Sequence, residues 1–478
     1  MAAARALKLF PNPSVPPSSI SPHTLPGINP GSTKALKRVL EDNQQKHHIY
    51  FNDMGFHNHI THRALAVWAL GADEDTIQAH YKGDASYQRP AFESPEPITS
   101  DNFNDHLGDR RFYDAYLKYF IGQLNEKGIA NVIEESIFSS AANFGSKGKS
   151  GEHPEMLNRF LDGILHPMIH VGYGVEFNLP GMVAEGLAQT ATHKASSTVL
   201  IPPSLFGSDV VPSVGSVTAR LQSLATGTTG KTSSPHAFST LSRVSKDESI
   251  KAVPEVMGPN RYNVVLENSG EAIYKHVNDW ADFDASDSDI VKRKVEELLW
   301  TNVLIYALPG FQAGTGNDAG FMADFITMHL VTSSLFLPSL IASLVPSSQH
   351  LLMRSYFAYS LGWYVSQGKV PLDIEKFFAA DTAHPVLDTS SPNPWLAIIN
   401  QAIKHSDDHL PKIQRALGHF SALYGSRVAG DAEFSATELR DADKLDGTLF
   451  IRAAGLTAKR LGREQGAAGG AANIWDRL

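Results

Sequence analysis

Apolar residues recur along much of this chain at the spacing of an α-helix, and this periodicity constrains the fold more than any other feature. The apolar positions in residues 408–424 stand at i, i+3, i+4, i+7 and i+11: Ile413, Ala416, Leu417, Phe420 and Tyr424. Those in residues 288–306 form a similar face behind Ser288, which can cap a helix: Val291, Val295, Leu298 and Leu299. Because the sequence shows no βαβ alternation, we predict an all-α, mostly helical fold, built as one large domain with long loops.

The chain divides by composition into an arm, a body and a tail. Residues 1–32 are rich in proline and are predicted to form an extended N-terminal arm, and residues 33–456 a single helical catalytic domain. Within that domain, residues 194–250 are rich in Ser, Thr, Gly and Pro, which favours a long loop or lid. Residues 457–478 are rich in Ala and Gly and are predicted to form a flexible tail.

Several classes of function are excluded by what the sequence lacks. The chain contains no cysteine among its 478 residues, which removes disulfides, iron–sulfur clusters and cysteine nucleophiles. Its formal net charge is -9 and it has no basic stripe, so a nucleic-acid partner is not expected. No apolar run reaches the roughly 20 residues of a bilayer span, and no signal-peptide core precedes the body. We therefore expect a soluble, cytoplasmic protein without a membrane span.

Histidine is the residue type that carries most of the chemical information. The chain has 20 histidines, and the clustered or isolated ones of interest are His57, His59, His62, His166, His170, His329 and His409. Neutral imidazole is a common ligand of zinc, copper and iron. Residues three or four apart share one helical face, and the pairs with that spacing are His59/His62, His166/His170 and His409/Lys412. The apolar neighbours of His329 predict that it points into the core. Spacing alone leaves open a metal site and hydrogen-bonded structural histidines.

Seven blocks of sequence occur in an order that matches a known family. They are Gly55–His62, His166–Glu176, Glu185–Ala188, Tyr262–Glu271, His329–Ser333, Asn393–Trp395 and His409–Leu417. Through these blocks, which span about residues 50 to 425, the chain resembles the questin oxidase-like family, the fungal tailoring enzymes of aromatic polyketide pathways. The resemblance specifies the family and leaves the exact substrate open.

The resemblance implies oxidative opening of an anthraquinone ring by one of two mechanisms. One is a Baeyer–Villiger-like insertion that uses NADPH. The other is C–C cleavage by a non-haem iron dioxygenase, whose iron is held by four histidines and a carboxylated lysine. Carried onto this sequence, the implied metal ligands are His59, His166, His329, His409 and Lys412, with Lys412 as the carboxylated and catalytic lysine. The alternatives are Lys376 for the lysine, and His57, His62 and His170 among the histidines.

The resulting hypothesis is an oxygenase of fungal secondary metabolism that uses Fe(II) and O₂ to cleave a C–C bond in an anthraquinone-type aromatic polyketide. Four imidazoles and one carbamate oxygen would leave about one open position on octahedral iron. An NADPH-dependent Baeyer–Villiger oxidase is the first alternative, although no GxGxxG dinucleotide fingerprint occurs. A non-catalytic helical scaffold with structural histidines and a zinc hydrolase are the others. The sequence does not fix the oligomeric state.

A flat aromatic substrate requires an apolar pocket. The residues predicted to line it are Phe177, Tyr173, Phe325 and Trp363, and ordinary core packing is the alternative role of each. Two further residues, Asn58 and Glu176, are predicted to orient the ligands through hydrogen bonds without touching the metal themselves.

Overall fold

The fold is almost entirely helical in a computed structural model that describes residues 7–206, 234–256, 260–314, 320–383, 391–462 and 475–476. Within these residues, β-structure is limited to isolated bridges between His47 and Pro90, Tyr50 and His57, and Asp324 and Asp476. The predicted all-α, mostly helical fold is confirmed. No helix in the described part of the chain is long and apolar enough to cross a membrane.

Twenty α-helices build the described structure. In the first half of the chain they are α1 (Pro30–Lys46), α2 (Ile60–Ala69), α3 (Glu74–Ala85), α4 (Tyr113–Lys127), α5 (Ile129–Ile133), α6 (Ser140–Phe144), α7 (Met156–Leu161), α8 (His166–Phe177) and α9 (Pro180–Thr192). In the second half they are α10 (Ala237–Lys246), α11 (Asn260–Trp280), α12 (Ser288–Ala313), α13 (Phe325–Ser334), α14 (Leu337–Ile341), α15 (Pro346–Ser366), α16 (Ile374–Ala379), α17 (Pro394–Lys404), α18 (Leu410–Tyr424), α19 (Ala432–Ser435) and α20 (Thr448–Gly462).

Two helices lie where loop or tail was expected. Helix α10 occupies part of the 194–250 stretch, because Phe238, Leu241 and Val244 make one apolar face that is buried in the core. Helix α20 continues past residue 456 to Gly462. The rest of the predicted lid includes residues 207–233, and most of the predicted tail is residues 463–474, which lie outside the described residues.

The described part of the N-terminal arm, residues 7–29, contains no helix and lies against α8 and α9. Phe10 is buried on Gly181, at whose Cα even a methyl group would collide with the Phe10 ring. The backbone follows the same helices, since the N–H of Gly181 donates to the carbonyl of Leu9 and the N–H of Ser14 donates to that of Phe177. The described part of the arm is therefore held in place by side-chain and backbone contacts.

Four helices form a closed ring around one point of the core. Helix α2 contacts α8 and α18, and helix α13 contacts the same two helices. Three of the four helices begin at that point, and the residues at each start explain why. Asn58 caps α2 by accepting a hydrogen bond from the N–H of Ile60 at 3.0 Å. Pro167 and Pro411 stand in the first turns of α8 and α18, where a missing N–H costs nothing.

Candidate metal centre

The four helices bring four imidazole rings into a closed quartet. The ring centroids of His59 and His166 are 4.9 Å apart, and those of His166 and His329 are 4.8 Å apart. The circuit closes with 5.3 Å between His329 and His409 and 4.7 Å between His409 and His59. The histidines are buried, except that the side chain of His59 keeps 12% of its exposure. The structure thus brings together all four histidines that the family resemblance implied as ligands.

Each of these rings is held from its Nδ1 side. Nδ1 of His329 lies 2.7 Å from the carbonyl oxygen of Phe325, and Nδ1 of His166 lies 2.5 Å from that of Gly163. A carbonyl only accepts, so both Nδ1 atoms carry the hydrogen and both Nε2 atoms keep a free lone pair. Nδ1 of His59 lies 2.5 Å from a carboxylate oxygen of Asp408. Anchoring one ring nitrogen in this way is the usual arrangement of a histidine that ligates a metal through the other.

Two of the Nε2 atoms face each other, those of His59 and His166, and neither carries a hydrogen when the Nδ1 atoms do. Nε2 of His59 and Nε2 of His166 are 2.8 Å apart. Two lone pairs at this distance repel unless a proton or a cation lies between them, and two neighbouring nitrogens on one ion with bonds of about 2.1 Å would be about 3 Å apart. Nε2 of His329 and Nε2 of His409 are buried and have no hydrogen-bond partner among the described residues. These orphaned acceptors fit a metal ion.

The backbone before His166 is strained in a way that holds this ring. Gly163, Ile164 and Leu165 have positive φ angles of 56°, 55° and 65°. A β-branched residue such as Ile164 rarely adopts this left-handed conformation, which costs of order 1–3 kcal/mol and is typical of functional sites. The turn places the Gly163 carbonyl against Nδ1 of His166. At Gly163 a Cβ would lie 2.2 Å from the His193 ring, so only glycine fits there.

An acidic residue that the sequence analysis did not select completes the centre. The two carboxylate oxygens of Asp408 contact two of the rings: Oδ2 lies 2.5 Å from Nδ1 of His59, and Oδ1 lies 2.9 Å from Nδ1 of His409. The second contact is electrostatic, because its angle falls short of a hydrogen bond. Potential ligand atoms of His59, His409 and Asp408 all lie within 4.8 Å of one another. The acidic pair Asp407–Asp408 directly before His409 was the signal in the sequence.

Lys412 also lies at the centre. It is buried, and its Nζ is 3.7 Å from Oδ2 of Asp408. The alternative lysine, Lys376, is exposed in the first turn of α16. Burial lowers the pKa of Lys412, although Asp408 and Asp407 act in the opposite direction. Of the two lysines, Lys412 is the one that is buried beside Asp408.

The electrostatics keep most of the quartet neutral, which is the protonation state of a metal ligand. Burial lowers the pKa of His59 to about 4 and holds those of His166 and His329 well below their usual range. Burial acts on His409 in the same way, but the carboxylates of Asp408 and Asp407 outweigh it and raise its pKa.

The alternative histidines lie in a second layer. His57 stacks on His166 with a centroid distance of 4.0 Å, and its Nε2 is 2.8 Å from Nε2 of His193. His62 and His170 are joined at 3.0 Å between Nε2 and Nδ1. His170 then contacts Glu185 at 2.7 Å, in a site closed to solvent. His62 and His170 therefore share a hydrogen-bonded chain with Glu185.

Of the residues predicted to line the pocket or to orient the ligands, Phe325 packs on the quartet and the others make different contacts. Phe325 contacts the rings of His329 and His409 at 4.7 and 5.0 Å and is only partly buried. The others pack elsewhere in the core: Phe177 on Trp68, Trp363 on Tyr262, and Tyr173 on His62 and Phe336. Asn58 caps α2 and Glu176 pairs with Arg415, and the hydrogen bonds described for their side chains do not reach the rings of the quartet.

A second group, His236, Glu297 and Glu433, could also bring three donors together. One oxygen of Glu297 already accepts from Nζ of Lys294 at 3.1 Å, from the indole of Trp280 at 2.7 Å and from a backbone N–H at 2.8 Å. A carboxylate neutralised in this way is a poor ligand. The quartet is therefore the candidate metal centre.

Comparison with known proteins agrees with the architecture. The family described as questin oxidase-like matches residues 56–417. The "Baeyer-Villiger oxidase ptaJ" of Pestalotiopsis fici is 27% identical over 399 residues, which cover 81% of this chain and 80% of that protein. The "Questin oxidase" of Aspergillus terreus is 26% identical over 84% of each chain. The "Baeyer-Villiger monooxygenase dmxR6" of a Cryptosporiopsis species is also 26% identical over 84% of each chain.

A helical body that gathers four imidazole rings from four helices defines a protein with a buried histidine cluster as its candidate metal centre. The chain belongs to the questin oxidase-like family, since the match covers most of its length and includes all four rings. Its relatives are named as oxidases and Baeyer–Villiger oxygenases, and the protein is an oxidoreductase.

Proposed function

We propose that this protein is a non-haem iron-dependent oxygenase that cleaves a C–C bond in the ring of an anthraquinone-type aromatic polyketide. The observation that carries the proposal is the convergence of four imidazole rings from separate segments of the chain, two of which leave Nε2 unpaired. Nδ1 of His59, His166 and His329 is held by an acceptor, while Nε2 of His329 and His409 has no partner among the described residues. A buried polar atom left unpaired costs about 1–3 kcal/mol, which a bound ion would offset.

In this proposal the Nε2 atoms of the quartet hold the iron, and bound iron supplies the site at which O₂ is activated. Asp408 contacts Nδ1 of His59 and of His409 and so keeps both rings turned inward. Phe325 packs on His329 and His409 and excludes water from that side. Lys412 would add an anionic oxygen after carboxylation, which requires the neutral amine that burial favours.

The aromatic character of the substrate is supported by the surface beside the centre. The residual exposure of His59 and Asp408 shows that the quartet approaches solvent on their side. There the 49–58 hairpin presents Phe51 and Phe56, whose rings are 6.0 Å apart, and Phe51 lies 5.6 Å from Tyr87. The Tyr87 ring is 53% exposed, but its hydroxyl is desolvated, and burial together with Asp408 raises its pKa. We call Phe51, Phe56 and Tyr87 the aromatic patch, and we propose that the flat substrate approaches over it.

Metal analysis of purified protein that has been reconstituted anaerobically with Fe(II) tests the proposal. We expect about one iron per chain, O₂ uptake with an anthraquinone or its reduced form, and ring-opened product. A protein that holds no transition metal after reconstitution would overturn it. A protein that binds metal but shows no O₂ uptake with any anthraquinone would support the metal site and contradict the proposed oxygenase activity.

The Baeyer–Villiger alternative is favoured by the names of the relatives. It differs in its use of oxygen atoms. A dioxygenase places both atoms of O₂ in the product and needs no reductant during cleavage. A Baeyer–Villiger oxidase inserts one atom, reduces the other to water and oxidises one NADPH. Reaction under ¹⁸O₂ with and without NADPH separates the two, because the first predicts two labelled atoms in the product and the second predicts one.

A further inference from the structure

Two residues far along the chain, Trp475 and Asp476, dock against the helices that carry His329 and His409. Trp475 is 3% exposed although it follows a stretch of mostly small residues. Its ring lies 6.1 Å from that of His409 and 6.5 Å from that of Phe325. We call Trp475–Asp476 the clasp. The proposed metal chemistry assigns these residues no role.

The indole of Trp475 reaches the helix of His409 through a carboxylate. Nε1 of Trp475 donates to Oδ1 of Asp407 at 3.0 Å. The same oxygen accepts from the backbone N–H of His409 at 2.9 Å and from that of Leu410 at 3.1 Å. Asp407 therefore accepts from the N–H groups at the start of α18, and Trp475 fixes the position of this carboxylate. Since His409 is the N-cap residue of α18, a shift of the Asp407 carboxylate would move its ring.

Asp476 holds the helix of His329 in the same way. The N–H of Phe325, the first residue of α13, donates to the carbonyl of Asp476 at 3.0 Å. The backbone N–H of Asp476 donates to the carbonyl of Ala323 at 2.9 Å, and its carboxylate accepts from the N–H of Ala323 at 2.7 Å. An ion pair of 3.1 Å with Arg460 ties it to α20. Two neighbouring residues thus contact the starts of both helices.

We propose that Trp475 and Asp476 are positioning residues of the metal centre: the clasp fixes the separation of His329 and His409 and so sets the affinity and geometry of the site. The inference rests on the proposed function, because it needs a metal at the quartet. It adds a determinant that lies outside the four helices of the quartet. The clasp makes no contact with the metal itself, and its effect passes through Asp407 and through the first turn of α13.

Cobalt(II) is a suitable probe, because its visible spectrum reports ligand geometry independently of turnover. The full chain is made metal-free and then titrated with Co(II). Three proteins are compared: wild type, Trp475→Phe and Trp475→Ala. The Phe variant keeps a smaller aromatic ring and loses the N–H that reaches Asp407. Loss of a hydrogen bond behind a ligand typically weakens metal binding about 10- to 100-fold. We expect such a loss with a changed spectrum for Trp475→Phe and a larger loss for Trp475→Ala.

Trp395→Phe is the matched control, since Trp395 packs on Gly418 of α18 away from its capped end. It should bind Co(II) with the affinity and spectrum of wild type. Trp475→Phe binding Co(II) as wild type does would overturn the clasp and leave the proposed function standing. A wild type that binds neither Co(II) nor Fe(II) would overturn the proposed function, and the clasp with it. If Trp475→Ala does not fold, the Phe variant still decides.

Discussion

At the scale of single residues, His329 gives the clearest reason to propose that the quartet binds a cation. Its Nδ1 donates to Phe325 one turn earlier in the same helix, which fixes the tautomer. Its Nε2 is buried and unpaired among the described residues, and burial keeps the ring neutral by lowering its pKa. His48, His62 and His405 also leave one buried nitrogen unpaired among the described residues, so His329 differs from them by its place beside the rings of His166 and His409. There its second nitrogen is available to a ligand.

His329→Ala should remove the metal and leave helix content close to that of wild type. The substitution deletes an inward-facing ligand while the helix-forming backbone is kept. Iron content per chain and far-ultraviolet circular dichroism measure the two effects. His419→Ala is the control on the fold, because His419 is a buried histidine of α18 that contacts the carbonyl of Ile20 instead of the quartet. Full metal retention in His329→Ala would refute the proposed ligand set.

Lys412→Ala should abolish ring cleavage, with partial recovery when a small carboxylate such as acetate or propionate is added together with iron. The added anion would replace the oxygen of the carboxylated side chain beside Asp408. Lys376→Ala is the comparison, since that lysine is exposed. Product formation with and without added carboxylate measures both variants. Wild-type activity in Lys412→Ala would move the proposal to Lys376.

The sequence predicted which histidines form the quartet, but it did not predict their contacts with Asp408. The family resemblance selected His59, His166, His329 and His409, and the fold brings all four together. It did not select Asp408, although the acid stands next to His409. The carboxylate matters because one oxygen contacts a ring at residue 59, and that partner is set by packing between helices, which local sequence patterns do not encode.

At the scale of helices, the centre is built where helices begin. His59 and His409 precede the first residues of α2 and α18, and His166 is the first residue of α8. The N-terminal end of a helix is electropositive, so three such ends favour neutral imidazoles and anionic partners. Asp407 and Asp408 stand at one of these ends as the required anions. The helical periodicity predicted α18, but it could not predict that the starts of three helices converge.

Helices α8 and α18 are joined by a buried ion pair between Glu176 and Arg415. Nη1 of Arg415 lies 3.1 Å from Oε2 of Glu176, and a second, shorter contact joins the other two atoms. Glu176→Ala should lower the free energy of unfolding by about 3–5 kcal/mol, because it leaves a buried guanidinium unpaired. Urea unfolding measures the change. The double variant Glu176→Leu with Arg415→Met should recover much of the loss, and an equal loss in both would argue against the charge explanation.

The 49–58 hairpin carries Phe51 and Phe56 of the aromatic patch together with His57. Gly55, with φ of 85°, makes its turn, and a Cβ there would lie 2.0 Å from Cζ of Arg110. Phe56→Asp should raise the KM for an anthraquinone about tenfold or more and leave iron content unchanged, because an exposed apolar contact is replaced by a charge. Steady-state kinetics measures the effect. Val428→Asp is the control, since Val428 is exposed outside the patch. An unchanged KM in Phe56→Asp would place substrate entry elsewhere.

The differences between predicted and observed elements have a common physical cause. Residues 194–250 were predicted as loop from their Ser, Thr, Gly and Pro content, yet α10 forms because its apolar face is buried against α11 and α12. Trp475 follows a run of mostly small residues that gave no sign of order. In both cases contacts with distant segments outweigh local composition.

At the scale of the whole molecule, the centre joins segments that are far apart in sequence. His59 and His166 are separated by 107 residues, and the Arg415–Glu176 pair spans 239. The closed ring of α2, α8, α13 and α18 forms only when the fold is complete. A metal bound there would stabilise the whole fold, because the unfolded chain does not hold its ligands together.

The same burial makes the metal-free protein sensitive to acid. Burial lowers the pKa of His193 to about 3 and that of His48 to about 4, while in the unfolded chain a histidine titrates near 6.5. Below that value the unfolded chain takes up protons that the folded chain does not, so folding loses stability as pH falls. Asp84 acts in the opposite direction, since burial raises its pKa to about 7.

We expect the free energy of unfolding of the metal-free protein to be highest near neutral pH and to fall steadily between pH 6.5 and 4. The effect of the buried histidines, whose pKa values are lowered, exceeds that of acids with raised pKa values such as Asp84. Each buried histidine contributes up to about 1.4 kcal/mol per pH unit in this window. Urea midpoints at pH 7, 6 and 5 measure the trend. His193→Gln should make it shallower by about one proton, because its amide does not titrate. Equal or greater stability at pH 5 than at pH 7 would mean that acids with raised pKa values dominate the pH dependence. It would also mean that the buried histidines take up protons without loss of stability.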